Sequence, residues 1–496
     1  MRRKPRFFCA NISAAKRKKY VKSKRKAGRY LVFSSIVFLY VFLPLALAVY
    51  FLSPKRFKNA ALLLLSFVFY FYGGQFYVLI MMLDIAVAYA FGLLIDKYRG
   101  KKAAKVFLFF AVAACLGLLG FFKYYDFFAD NVGVLGASLP SLGLILPIGI
   151  SFFTFQAISY DVDVYRGSAA VQKNVVSLAT YVALFPQLIA GPIVRYADVA
   201  NQLEKRSVTA KDLSSGAFRF TVGLAKKVIV ADNLFAFTEF FSSSRDKSVA
   251  FCWAYAAALT LYVYYDFSGY SDMAIGLGRI FGFNFNENFN YPLVSESVGE
   301  FWRRWHISLG SWFRDYVYVP LGGNRVSAPR WIFNTLLVWF LTGLWHGAAW
   351  NFILWGLYFG LLIIAEKTVL KGVIEKTPRF IRRVYLLVAV AVSFVIFGAD
   401  GIGGAAEGLQ NMFGLGGLPL WSDETAYYLS SFGVIFAVAA VGATPLIKNA
   451  AVKFAASNEA DTATAILKPV VMAFFIIIST AYFADGSFSP FLYFRF

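Results

Sequence analysis

Only two of the 496 residues are histidines, His306 and His346, and both fall in one segment running from Asn290 to Asn351. Histidine is the side chain whose ordinary pKa lets it accept and donate a proton near neutrality. An apolar chain that keeps its two imidazoles together, among Trp and Arg, points to a reaction centre. The ordinary alternative, taking each singly, is a hydrogen-bonded packing role on an apolar helix. A metal centre fits poorly. No carboxylate or Cys stands near either histidine at short ligand spacing, and two imidazoles alone make an incomplete cage.

The elements that must position these residues are partly legible. Val298, Phe301, Trp302, Trp305, Leu309 and Trp312 recur at helical spacing with His306 at the edge of the stripe, while Glu300, Arg303, Arg304, Ser308, Ser311 and Arg314 fall mostly opposite. The pattern predicts one short amphipathic helix at a membrane boundary, its tryptophans at headgroup level and its arginines toward phosphate and water. His346 follows the run Trp331–Trp345, apolar except for Asn334 and two threonines. It is therefore expected deep in the membrane, where a polar side chain needs a partner. Gly343 and Gly347 flank it and leave room for close approach by another chain or a ligand.

Composition sets the surroundings. Hydrophobic residues make up 59% of the chain, aromatics 19% and charged residues 15%. That balance excludes a soluble globular domain and predicts an all-helical polytopic membrane protein. The net charge of +22 resembles that of a nucleic-acid binder, but residues Met1–Arg29 hold 13 Lys and Arg and no acid. The remainder, 36 basic against 27 acidic residues, carries what cytoplasmic loops and anionic headgroups require. The expected partner of the charge is the lipid bilayer, not nucleic acid. Cys9, Cys115 and Cys252 show no paired spacing.

Residues 1–29 read as a basic, disordered cytoplasmic tail, and residues 30–496 as one membrane domain. Apolar runs from Tyr30–Leu52 to Leu467–Tyr482 predict about eleven spans of roughly 20 residues, with short interfacial or re-entrant helices around a central cavity. Ala183–Ile193 carries two prolines within an apolar run, which predicts a kinked or re-entrant cavity wall. Asp161, Asp163 and Arg166 read as the watery end of an interfacial helix. Asp266, Asp272 and Arg279 each need a partner on a neighbouring helix, Lys226 and Lys227 are placed to meet lipid phosphate or an anionic donor, and Gly401–Gly417 reads as a loop.

Three motifs resemble the signature region of the membrane-bound O-acyltransferase superfamily, in its bacterial branch that acts in alginate and other polysaccharide O-acetylation. They are E-F-W-R-R-W-H-I-S-L (Glu300–Leu309), W-F-R-D-Y-V-Y-V-P-L-G-G-N (Trp312–Asn324) and G-L-W-H-G-A-A-W-N (Gly343–Asn351). The tail P-F-L-Y-F-R-F (Pro490–Phe496) is similar as well. The resemblance implies that His346 is the essential residue and His306 its catalytic companion. It makes Trp305, Arg314, Asp315, Trp345 and Asn351 candidates for substrate binding. It further implies an acetyl-CoA or other acyl-thioester donor, with no permanently bound cofactor or metal. An extracytoplasmic O-acetyltransferase or esterase-like partner and a place in the bacterial cytoplasmic (inner) membrane follow from it too. A carrier protein donating D-alanine toward teichoic acid is the nearest alternative within the superfamily. A transporter whose buried histidines relay protons is the alternative of another class.

Overall fold

A computed structural model describes residues 31–134, 136, 139–455, 460–485 and 491. The basic tail Met1–Arg29 and all of the motif Pro490–Phe496 except Phe491 lie outside the described residues. The described chain is helical throughout: α1 (Phe38–Leu52), α2 (Lys58–Gly74), α3 (Val78–Lys97), α4 (Lys102–Val134), α5 (Ile150–Arg166), α6 (Val175–Ala183), α7 (Phe185–Leu188), α8 (Tyr196–Glu204), α9 (Ala210–Ala225) and α10 (Asp232–Ser243). There follow α11 (Val249–Ile280), α12 (Val298–Arg304), α13 (Ile307–Phe313), α14 (Ala328–His346), α15 (Trp350–Lys367), α16 (Lys371–Lys376), α17 (Arg379–Gly398), α18 (Gly401–Met412), α19 (Asp423–Gly442), α20 (Leu446–Ala455) and α21 (Ala460–Ala484).

Five stretches among the described residues are long and apolar enough to cross a membrane: Lys55–Lys97, Lys102–Gly133, Arg379–Gly398, Asp423–Gly442 and Ala465–Ala484. Other apolar runs fold as shorter or broken elements. Val175–Ile193 becomes α6, a bend at Leu184 and the single turn α7 with Pro186 near its start. The freed backbone groups find partners inside the protein, as irregular backbone at membrane depth must. Phe185 N donates to Ser66 Oγ, Gln187 Nε2 to the Tyr181 carbonyl, and Ile193 N to Ser308 Oγ. Leu142–Tyr160 starts as extended chain and turns helical only at Ile150, after Gly149 in the left-handed region (φ 72°). A Cβ at Gly149 would stand 2.5 Å from the Leu188 carbonyl oxygen, so this start is packed against the proline turn. Gly401–Gly417 is not all loop: residues 401–412 form α18, packed on α17.

Two helix pairs cross at glycine. On α9, Gly216 and Gly223 meet Gly276 and Gly269 of α11, each seven residues apart on its helix. A Cβ at any of the four would come within 2.5–2.8 Å of the facing carbonyl oxygen. Beside this seam Lys227 is buried between Asp232 (2.7 Å) and Asp266 (2.6 Å), and Asp272 holds Lys226 (2.7 Å) and Arg219 (2.8 Å). Lys226 and Lys227 thus take carboxylate partners within the protein. The second pair is α14 with α15, where a Cβ on Gly343 would lie 2.3 Å from the Phe352 carbonyl oxygen and one on Gly356 2.2 Å from that of Trp339. The room left by Gly343 and Gly347 is therefore filled by the chain's own return helix.

Gly356→Ala is expected to force α14 and α15 apart, costing about 1–3 kcal/mol in an overpacked contact. A lowered unfolding temperature in detergent, read against wild type, is the measurement. An unchanged midpoint would contradict the close crossing.

Candidate active site

The segment around His306 departs from the single amphipathic helix that its periodicity suggests. α12 ends at Arg304, His306 takes a left-handed conformation (φ 44°), and α13 starts at Ile307. Such a conformation is costly for a side chain with a Cβ and persists only where its surroundings hold it. Asn288 supplies that hold. Ile307 N donates to the Asn288 carbonyl (3.0 Å), while Asn288 Oδ1 accepts from Ser308 N (3.2 Å) and Ser308 Oγ (2.8 Å). The α12 start is fastened too: the Glu366 carboxylate at the end of α15 accepts from Val298 N (2.6 Å) and Gly299 N (3.0 Å). Carboxylate at a helix N-terminus meets both the free N–H groups and the positive end of the helix dipole.

The same amide fixes the His306 tautomer. Its Nδ1 lies 3.2 Å from Asn288 Oδ1, an oxygen that a backbone N–H also reaches and that can only accept. Nδ1 therefore carries the proton, and in the neutral ring Nε2 carries the lone pair. Burial favours that neutral ring. Nε2 has no hydrogen-bond partner among the described residues. The ring is 1% exposed and stands edge-on to Phe267 (4.6 Å between centres).

His346 closes α14. Its ring contacts Trp345 (5.0 Å), Trp355 (4.8 Å) and Phe397 (5.5 Å), all nearly perpendicular. Trp345 also faces His306 at 5.9 Å, so both imidazoles pack on one indole. The helix end is held from α4 and α5: Tyr124 Oη donates to the Leu344 carbonyl (2.8 Å), and Lys123 Nζ donates to the Trp345 carbonyl and to Ser151 Oγ (3.2 Å). Donors there meet the free carbonyls at the negative end of the helix dipole. Beside His346 is a cavity lined by Val263, Phe267, Trp305, Trp355, Phe394 and Phe397, with about 20 Å³ open to a water-sized centre. That is room for roughly one water or a methyl group.

The structure brings some of the sequence candidates together and separates others. Trp305 lines the cavity, and Trp345 stands between the histidines. The tryptophans on either side of the helix break turn into the protein: Trp305 stacks on Phe301 (5.3 Å), and Trp312 stacks on Phe155 at 3.8 Å. Asn351 Nδ2 is occupied by the carbonyls of Phe397 (3.1 Å) and Ala399 (3.2 Å), tying α15 to the end of α17. Arg314 and Asp315 lie at the far end of a ring column, Trp345–Phe155–Trp312–Tyr316. There Asp315 takes Arg195 (2.6 Å) and Arg314 (2.7 Å). Burial raises the Asp315 pKa, but hydrogen bonds and charge from Arg314 and Arg195 outweigh it and hold the carboxyl below its ordinary value. Among the described residues no three His, Cys, Asp or Glu side chains cluster as metal ligands would.

Four residues of the site escaped sequence reasoning: Asn288, Lys123, Tyr124 and Ser151. Lys123 alone left a signal, as a cation directly after the apolar run Lys105–Phe122.

Among the described residues, then, this is a helical membrane protein with two buried imidazoles packed on a shared indole, one of them lining a cavity walled mainly by aromatic rings. The particular family follows from comparison: the profile of MBOAT, the membrane-bound O-acyltransferase family, matches residues 143–403, and the chain belongs to that family. It is an O-acyltransferase. The chain is 38% identical to the "probable alginate O-acetylase AlgI" of Azotobacter vinelandii, over 94% of this chain and 100% of that one. It is 32% identical to a peptidoglycan O-acetyltransferase of Helicobacter pylori, over 81% and 83% of the two chains. A teichoic acid D-alanyltransferase of Bacillus subtilis is 30% identical across 45% of this chain and 60% of its own length.

Asn288→Ala is expected to free His306 and remove three hydrogen bonds at the helix break, costing about 1–3 kcal/mol for the buried groups left unpaired. Acyl transfer should fall while the protein still folds. Unfolding temperature and thioester turnover measured together test this, and wild-type turnover would show that the clasp does not matter to the chemistry.

Proposed function

We propose that this protein moves an acetyl group from a cytoplasmic thioester, acetyl-CoA, toward an extracytoplasmic polysaccharide, and that it sits in the bacterial inner membrane. A secreted O-acetyltransferase or esterase-like protein receives the group and completes the decoration. The observation that carries the reading is His346 opening onto a cavity sized for a methyl group and walled by rings. Such a space suits acetyl and excludes a long acyl chain. Likeness along most of the chain to relatives named for alginate and peptidoglycan O-acetylation supports the acceptor class.

His346 is the reacting imidazole, either as general base toward an acceptor hydroxyl or as transient acyl acceptor. In both, the thioester C–S bond breaks, the thiolate sulfur takes up a proton, and a new bond forms to the acyl carbon. His306 works with a lone pair on Nε2. It is suited to accept a hydrogen bond from an N–H or O–H of the bound donor or acceptor and so orient it, whereas stabilising an oxyanion would require Nε2 to carry a second proton. The aromatic walls exclude water, which would otherwise hydrolyse the acyl group. Trp305 and Trp345 shape the space, and Arg314 and Asp315 act from the far end of the ring column.

The test is purified protein in detergent with labelled acetyl-CoA and a candidate acceptor. His346→Ala is expected to abolish thioester consumption, a loss of at least about 10²-fold, while folded protein remains abundant. His306→Asn should retain part of the activity, because an amide can still orient a bound group. Equal and complete loss in both folded variants would count against separate roles. Turnover of a D-alanyl carrier thioester in place of acetyl-CoA would redirect the donor assignment, and labelled solute flux without thioester consumption would favour transport.

A further inference from the structure

Away from the histidines, two carboxylates are wholly buried between helices. Asp84 on α3 and Asp161 on α5 are each 0% exposed, and none of their four carboxyl oxygens has a hydrogen-bond partner among the described residues. Sequence reading set Asp161 in water at a helix end; the structure instead covers it with α3, where a Cβ on Gly92 would lie 3.3 Å from its Oδ1. The two aspartates repel one another electrostatically. Among the described residues no Arg, Lys or His forms an ion pair with either. Two unpaired carboxylates at membrane depth are expensive and are retained where they hold a proton or a cation.

Their neighbours form a line. Ser151, Thr154, Ile158 and Asp161 share one face of α5, and α3 and α4 pack on that helix. Thr154 and Cys115, from α5 and α4, are turned toward Asp84, both outside hydrogen-bond geometry. At one end of the line Ser151 Oγ meets Lys123, whose Nζ donates to the Trp345 carbonyl next to His346. At the other, Asp161 lies one turn inside the surface that carries the Asp96–Arg99 ion pair (2.9 Å). From Ser151 to Asp161 is about 15 Å of helix. The titratable groups facing the pair are Cys115 of α4 and Tyr160 of α5. Tyr160 Oη is occupied by Gln172 N and faced by Tyr196 of α8 and Tyr89 of α3, and on α6 the Tyr181 hydroxyl is spent on the Val194 carbonyl.

We infer that Asp84 and Asp161, linked through Thr154 and Ser151, are a proton relay joining the Lys123 edge of the histidine site to the Asp96–Arg99 surface. The relay rests on the proposed acyl transfer for its use. An acceptor hydroxyl loses its O–H proton as the ester C–O bond forms, and the departing thiolate gains one as the C–S bond breaks. With acceptor and donor on opposite faces, the proton released at the imidazole must reach the thiolate's face. The two carboxyls carry it there by taking up one proton and passing it on through water, and the sum over both sites is zero.

Infrared spectra of the full chain in lipid nanodiscs, in H2O and after transfer to D2O, read the stretch of a protonated, buried carboxyl. Asp84→Asn and Asp161→Asn assign it. The expected result is a band lost in one or both variants that exchanges within minutes despite its burial. Thioester turnover should drop about tenfold or more in Asp84→Asn, and Asp84→Glu should restore part of it with a displaced pH profile. A missing band in wild type, or one that stays unexchanged for hours, overturns the relay. So do wild-type turnover and pH profile in both Asn variants. Where an Asn variant does not accumulate folded, exchange in wild type decides alone. Exchange needs no donor, so a chain that exchanges the band yet consumes no thioester refutes the acyl-transfer reading and leaves the relay standing.

Discussion

Irregular backbone inside a membrane must find its hydrogen bonds within the protein, and the histidine site is built around that demand. His306 points inward only because the chain stops being helical between Arg304 and Ile307. The stop is affordable only because Asn288 takes up the donors it exposes. The clasp extends further. Ser308, one of its members, accepts the Ile193 N–H freed by the proline turn at α7, so two separate backbone breaks share one hydroxyl. A change at either break is felt at the other through this link.

His346 is held by the opposite device, a regular helix stopped at a fixed point. The glycine contact sets how close α14 and α15 approach, and Asn351 ties the return helix to α17. Lys123 and Tyr124 fasten the last carbonyls of α14. The imidazole thus inherits its place from three helices besides its own. Trp345, clamped by its carbonyl and packed between the two histidines, keeps a fixed wall between them.

The sequence disclosed the chemistry better than the geometry. Two histidines among long aromatic motifs were enough to find the family, since residue identity alone carries that signal. The helix break at His306 was illegible because Val298 to Trp312 keeps helical spacing straight through it, and the residue that causes the break, Asn288, lies ten positions outside the pattern. Apolar runs blur the element boundaries for a related reason: hydrophobicity marks burial in lipid and burial in protein alike, so α6 with α7 and the extended start of α5 read as runs of spanning length. The glycines of Gly401–Gly417 suggested a loop, yet residues 401–412 remain helical on the face of α17. Asp161 was misplaced because only its neighbour across space, Gly92, shows that α3 covers it.

The cavity beside His346 sits within a stiff scaffold. Its frame cannot widen cheaply, because the glycine crossings place backbone against backbone and any separation loses contacts along the whole seam. Adaptation therefore falls to the side chains that line it. Phe394 and Phe397 stand on one helix, α17, while Trp355 comes from α15 and Trp305 from the break after α12, so the lining rings rest on different supports. Rotating a ring costs far less than parting two helices. Under the proposed acyl transfer, a small acyl group would enter within that allowance, and a long chain would have to displace the frame itself. The glycines, one helix contact away from the imidazole, thus limit the size of any group the cavity can admit.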